Sequence, residues 1–114
     1  MKYLKIFEGI HDIQKYHVND LVVFKDIHNL IIRNNIPESK LDEFYHFFNN
    51  RIGVVRNAWV GWVEVKYYNL PKSLTNFANI YDGIVSVFEC HPYDLRFATD
   101  IEIAIENDIK KFNL

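Results

Sequence analysis

The 114 residues suit one domain spanning 1–114, and 49% apolar with 25% charged residues is globular usage that excludes an intrinsically disordered chain. A net charge of −2 excludes a general polyanion binder, and the lone Cys90 excludes an internal disulfide, in keeping with a reducing compartment. No apolar run reaches the roughly 18 residues of a membrane span, and Glu8, His11 and Asp12 interrupt the start too early for a signal-peptide core, so an intracellular, cytoplasmic setting is expected.

Alternation over residues 2–8 (Tyr3, Lys5 and Phe7 against Leu4 and Ile6) predicts a first strand that ends at Gly9. From Asp20, in N-cap position, Leu21, Phe24, Ile27, His28 and Ile31 recur at helical spacing, and Pro37 stops the run; the apolar LVVF at its start also fits a strand. Leu41, Phe44, Tyr45 and Phe48 predict the next helix, with Ser39 and Asp42 as a capping pair and Asn49-Asn50 as its end.

Residues 52–68 read as strand, as a hairpin if Arg56 and Asn57 make the turn. A short helix over 73–81 and a turn at Asp82-Gly83 then lead into a central strand, Ile84 to Cys90, which His91-Pro92 breaks. Thr99 and Glu102 form a capping box for a last helix with Ile101, Ala104, Ile105, Ile109 and Phe112 along one side. The fold class is α+β: a single small domain with a mainly antiparallel sheet of about three to five strands against two to four helices.

Chemistry-bearing patterns are thin. Histidines 11, 17, 28, 46 and 91 lack metal-ligand spacing, and Gly9, Gly53, Gly61 and Gly83 never cluster into a phosphate loop. No metal, cofactor or catalytic residue is implied. Cys90 shares a strand face with Ile84 and Phe88 and reads as a small buried apolar residue. An enzyme or ligand-binding domain would need His28, His46, Cys90 or Asp108 to converge on a pocket between sheet and helices.

Charge is uneven. Over 51–81, Arg51, Arg56, Lys66 and Lys72 oppose Glu64 alone, for a net +3; over 82–114, seven acids oppose Arg96, Lys110 and Lys111, for a net −4. The basic, aromatic segment 51–81 carries an alternative reading, single-stranded nucleic-acid binding, which the acidic last third opposes.

Aromatic residues reach 16%, the chief departure from ordinary composition. Alternation puts Trp59, Gly61, Val63, Val65 and Tyr67 on a core face and Val60, Trp62, Glu64, Lys66 and Tyr68 on a mixed one. Without catalytic motifs, the expected function is protein binding: a small intracellular inhibitor of the immunity or anti-defence (phage or mobile-element) type that occludes a larger target. Trp62, Glu64, Lys66 and Tyr68 would form the contact, and Asp100, Glu102 and Glu106 would steer it to a protein or nucleoprotein with a basic surface. Homodimerisation is compatible with this reading; direct nucleic-acid contact and membrane association are not expected.

Overall fold

A computed structural model of the chain describes residues 15–68, 70–81 and 85–112, so the expected strand at 2–8, the Asp82-Gly83 turn and Ile84 lie outside it. In chain order the elements are β1 (Leu21–Phe24), α1 (His28–Arg33), α2 (Leu41–Phe48), β2 (Ile52–Trp59), β3 (Trp62–Tyr68), β4 (Asn79–Tyr81), β5 (Val85–Cys90), β6 (Leu95–Phe97) and α3 (Asp100–Phe112). Short 3-10 segments precede α2 (Glu38–Lys40), β4 (Lys72–Phe77) and β6 (Pro92–Asp94). The strands form one six-stranded sheet in the order β4-β5-β3-β2-β1-β6, antiparallel at every pairing, with helices on it: an α+β fold.

Paired residues share a sheet face, so the registers sort the side chains. Val22, Phe24, Val55, Val63, Val65, Tyr67, Phe88, Cys90 and Leu95 fall on one face, and all are buried. Leu30 of α1 and Phe44, Phe47 and Phe48 of α2 close over them. Phe48 lies at the centre, with ring centroids of Phe24, Phe44, Phe47, Tyr67 and Phe88 4.9–5.3 Å away and mostly edge-on, the geometry aromatic quadrupoles favour. Tyr67 needs a gap across the ladder, which Gly53 provides: a Cβ there would stand 2.6 Å from Tyr67 Cζ and 2.5 Å from Val65 Cγ1.

Several sequence expectations are corrected. Of the two readings of LVVF the strand holds and the helix from Leu21 does not, because Val22 and Val23 pair with β2 and β6 on both sides, a setting that suits β-branched chains. Asp20 does not cap a helix: its carboxylate accepts the His17 N–H (2.8 Å), and helix begins only at His28, whose N–H donates to Asp26 Oδ1 (2.9 Å). In α2 the buried side runs through Phe44, Phe47 and Phe48 while Tyr45 is exposed, and no side chain caps its start. Asn50 does end it, in the left-handed conformation (φ 56°) that Asn tolerates. Residues 72–77 form a 3-10 turn, and β4 takes over from Asn79.

The hairpin is real but turns elsewhere. A bulge between Val55 and Asn57 takes up Arg56, and the reversal falls at Val60-Gly61, where Gly61 has φ 83°. Trp59 and Trp62 thereby become direct partners on one face. The tryptophan assigned to the core by simple alternation, Trp59, is half exposed at 50%, because alternation does not carry through a bulge and a turn.

Candidate functional site

The face opposite the aromatic core carries Trp62, Glu64, Lys66 and Tyr68 of β3, and α3 lies along part of it. Ile103, Glu106 and Asn107 of α3 border a cleft of about 150 Å³ with Leu21, Val54, Lys66 and Tyr68. Lys66, Tyr68 and Glu106 are therefore brought together. Trp62 and Glu64 lie farther along β3, toward the hairpin turn, and outside that cleft.

Their surroundings differ. Trp62 is half-buried, and the Arg33 guanidinium carbon sits 4.1 Å from its ring centroid, a cation–π contact. Glu64 is buried, and its Oε1 accepts from Arg56 Nη1 and Asn57 Nδ2, both at 2.9 Å. Tyr68 is exposed at the far end of the strand.

The capping box forms as expected: Glu102 N–H donates to Thr99 Oγ1 (3.1 Å) and Thr99 N–H to Glu102 Oε1 (2.9 Å). Arg96 adds two donors to the same carboxylate, at 2.8 and 2.7 Å. The Arg96 bond above all, then the Thr99 N–H, holds the Glu102 carboxyl down at about 2. Two of the five candidate acidic and basic contact residues, Glu64 and Glu102, thus already face an arginine within the chain, and their fields are largely spent there. Asp100 is exposed at the start of α3.

The apolar side of α3 is the unexpected part. Turned toward the sheet are Glu102, Ile103 and Glu106, all half-buried, whereas Ile101, Ile105 and Ile109 are 72%, 54% and 54% exposed. Residues four apart stack in rows along a helix, so α3 presents Ile101-Ile105-Ile109 beside a second exposed row, Asp100-Ala104-Asp108. Asp108, one of the residues that an enzyme reading would bring to a pocket, is exposed in this row.

The alternative catalytic residues do not converge. Cys90 is buried in the core, where desolvation, reinforced by Asp94, pushes its thiol up to about 12 and leaves no thiolate nucleophile. His46 lines a cleft of about 580 Å³ with Lys25, Asp26, Tyr45 and Arg96, while His28 and Asp108 lie outside it. Among the described residues no group of three His, Cys, Asp or Glu could hold a metal ion, and no helix is long and apolar enough to cross a membrane.

The basic band read over 51–81 disperses as well. Arg51 donates to Phe47 O (2.8 Å) and stacks on its ring, and Arg56 is paired with Glu64. Comparisons with protein-family models, curated proteins and solved structures gave no match.

Proposed function

We propose that this chain is a non-catalytic protein-binding domain, a small inhibitor of the immunity or anti-defence type that acts in the cytoplasm by occluding a larger target with a basic surface. The observation that carries this reading is the outward side of α3. Three isoleucines more than half exposed in one row are costly to leave in water, and an apolar stripe of this kind marks an interaction surface more often than a monomer's exterior. The parallel row with Asp100 and Asp108 adds a negative field that favours a cationic partner and speeds its encounter.

Lys66 and Tyr68 of β3 lie across the cleft from Glu106 of α3 and extend the contact onto the sheet, with Trp62 and Glu64 farther along. The aromatic core supports a prefolded binder, which loses little conformational entropy on association. Arg96 and Thr99 hold α3 at its N-terminal end, so the stripe is presented on a fixed helix.

Affinity capture from extracts of the source cell, compared across variants, tests this. Ile105→Lys and Asp100→Lys/Asp108→Lys should each abolish or sharply weaken recovery of a specific partner, and Trp62→Ala should weaken it less. Equal recovery by all of them, with native circular dichroism, would remove α3 as the binding face.

A further inference from the structure

A second surface has the opposite chemistry. At the tip of the β2–β3 hairpin a cleft of about 380 Å³ is lined by Trp59, Val60, Gly61, His91, Pro92 and Tyr93, with Lys15, Tyr16, Lys25 and Val63 at its sides. Its size falls within the range of small-ligand sites, about 300–1,000 Å³. Among the described residues two lysines line it and no carboxylate does.

The aromatic rings here are exposed, and that of Tyr93 is held. Trp59 is the last residue of β2, its backbone set by the register with Trp62, and 50% of it faces solvent. Tyr93 is 72% exposed, but its ring lies nearly parallel to His91, 4.5 Å between centroids and 19° between planes. The Tyr93 N–H donates to His91 Nδ1 at 3.2 Å, which fixes the turn that carries both rings. An exposed ring pinned by a neighbour is ready to stack a planar ligand without further ordering.

An extended peptide finds little to pair with at this place. Pro92 has no N–H, and β3, whose Val63 borders the cleft, is paired on both sides by β2 and β5. What remains on offer is π faces and ammonium groups. We propose that this cleft binds a nucleotide, its base stacked against Trp59 and Tyr93 and its phosphate met by Lys15 and Lys25. The ligand chemistry is a planar base bearing a phosphate, whether free or at a single-stranded end, and the site is separate from the α3 face.

Titrating the full chain with adenosine monophosphate, a short single-stranded oligonucleotide and inorganic phosphate tests the proposal. Saturable binding of the mononucleotide and weaker binding of phosphate alone are expected for a free-nucleotide site; much tighter binding of the oligonucleotide assigns the strand instead. Trp59→Ala, Tyr93→Ala and Lys15→Ala/Lys25→Ala should each weaken binding on the order of tenfold, and rising salt should weaken it further. Ile105→Lys on α3 should leave it unchanged, so failure here and failure of the α3 reading are separable. No binding of nucleotide or oligonucleotide at millimolar concentration and low salt would overturn the proposal. So would binding that survives all three cleft variants, or a preference for an acidic peptide over both probes.

Discussion

Helices α2 and α3 carry similar apolar patterns and meet different fates. In α2, Phe44, Phe47 and Phe48 sit against the sheet and are at most 3% exposed; in α3, Ile101, Ile105 and Ile109 point away from it and are more than half exposed. Periodicity states that a helix has an apolar side. It does not state that this side faces the sheet. What fixes α3 is polar and local: the Thr99–Glu102 box and the Arg96 fork seat its first turn, and Ile103 supplies an inward apolar contact.

The contrast is broken most strongly from the α2 side. Phe48→Ala removes the ring at the centre of five others, and a loss of about 3–5 kcal/mol in denaturant unfolding is expected. Gly53→Ala forces a methyl onto Val65 and Tyr67 across the ladder, and should cost about 1–3 kcal/mol in the same measurement. If it does not, Tyr67 has room to move and the core is looser than its burial implies.

The polar anchor of α3 is a smaller contribution. Glu102→Gln loses the Arg96 ion pair and weakens the box, with an expected cost of about 1 kcal/mol, since the carboxylate is partly solvated and screened. The carboxyl is held below its ordinary range in the folded state, so its stabilisation is complete above that range and fades as pH falls through about 2. Acid titration should show the wild-type chain losing this increment between about pH 4.5 and pH 2, and Glu102→Gln lacking it.

Much of the fold was legible because local signals were unambiguous. The Thr99-x-x-Glu102 spacing gave the start of α3, Asn49-Asn50 the end of α2, and Val63, Val65 and Tyr67 the core side of β3. Misreadings arose where tertiary pairing overrides local pattern. The Val22-Val23 segment became a strand through partners about 30 and more than 70 residues away, and the reversal at Val60-Gly61, which pairs Trp59 with Trp62, took Trp59 off the face of Val63.

The candidate site was less legible than the fold. Lys66, Tyr68 and Glu106 do border one cleft while Asp100 lies outside it, and the pairing of Glu64 with Arg56 and of Glu102 with Arg96 joins side chains that only the bulge and the β6–α3 corner bring together. The outward set of α3 was visible as a row of isoleucines; its direction was not, because Glu102 and Glu106 on the inward side look in sequence like a solvated face.

Equilibrium unfolding of the triple variant Ile101→Gln/Ile105→Gln/Ile109→Gln tests most directly whether the outer side of α3 is a surface and not core. Each exposed position should contribute no more than about 0.5 kcal/mol, so the expected total change stays below about 1.5 kcal/mol with the native spectrum retained. A loss of about 6 kcal/mol or more, as three buried isoleucines would give, would contradict it.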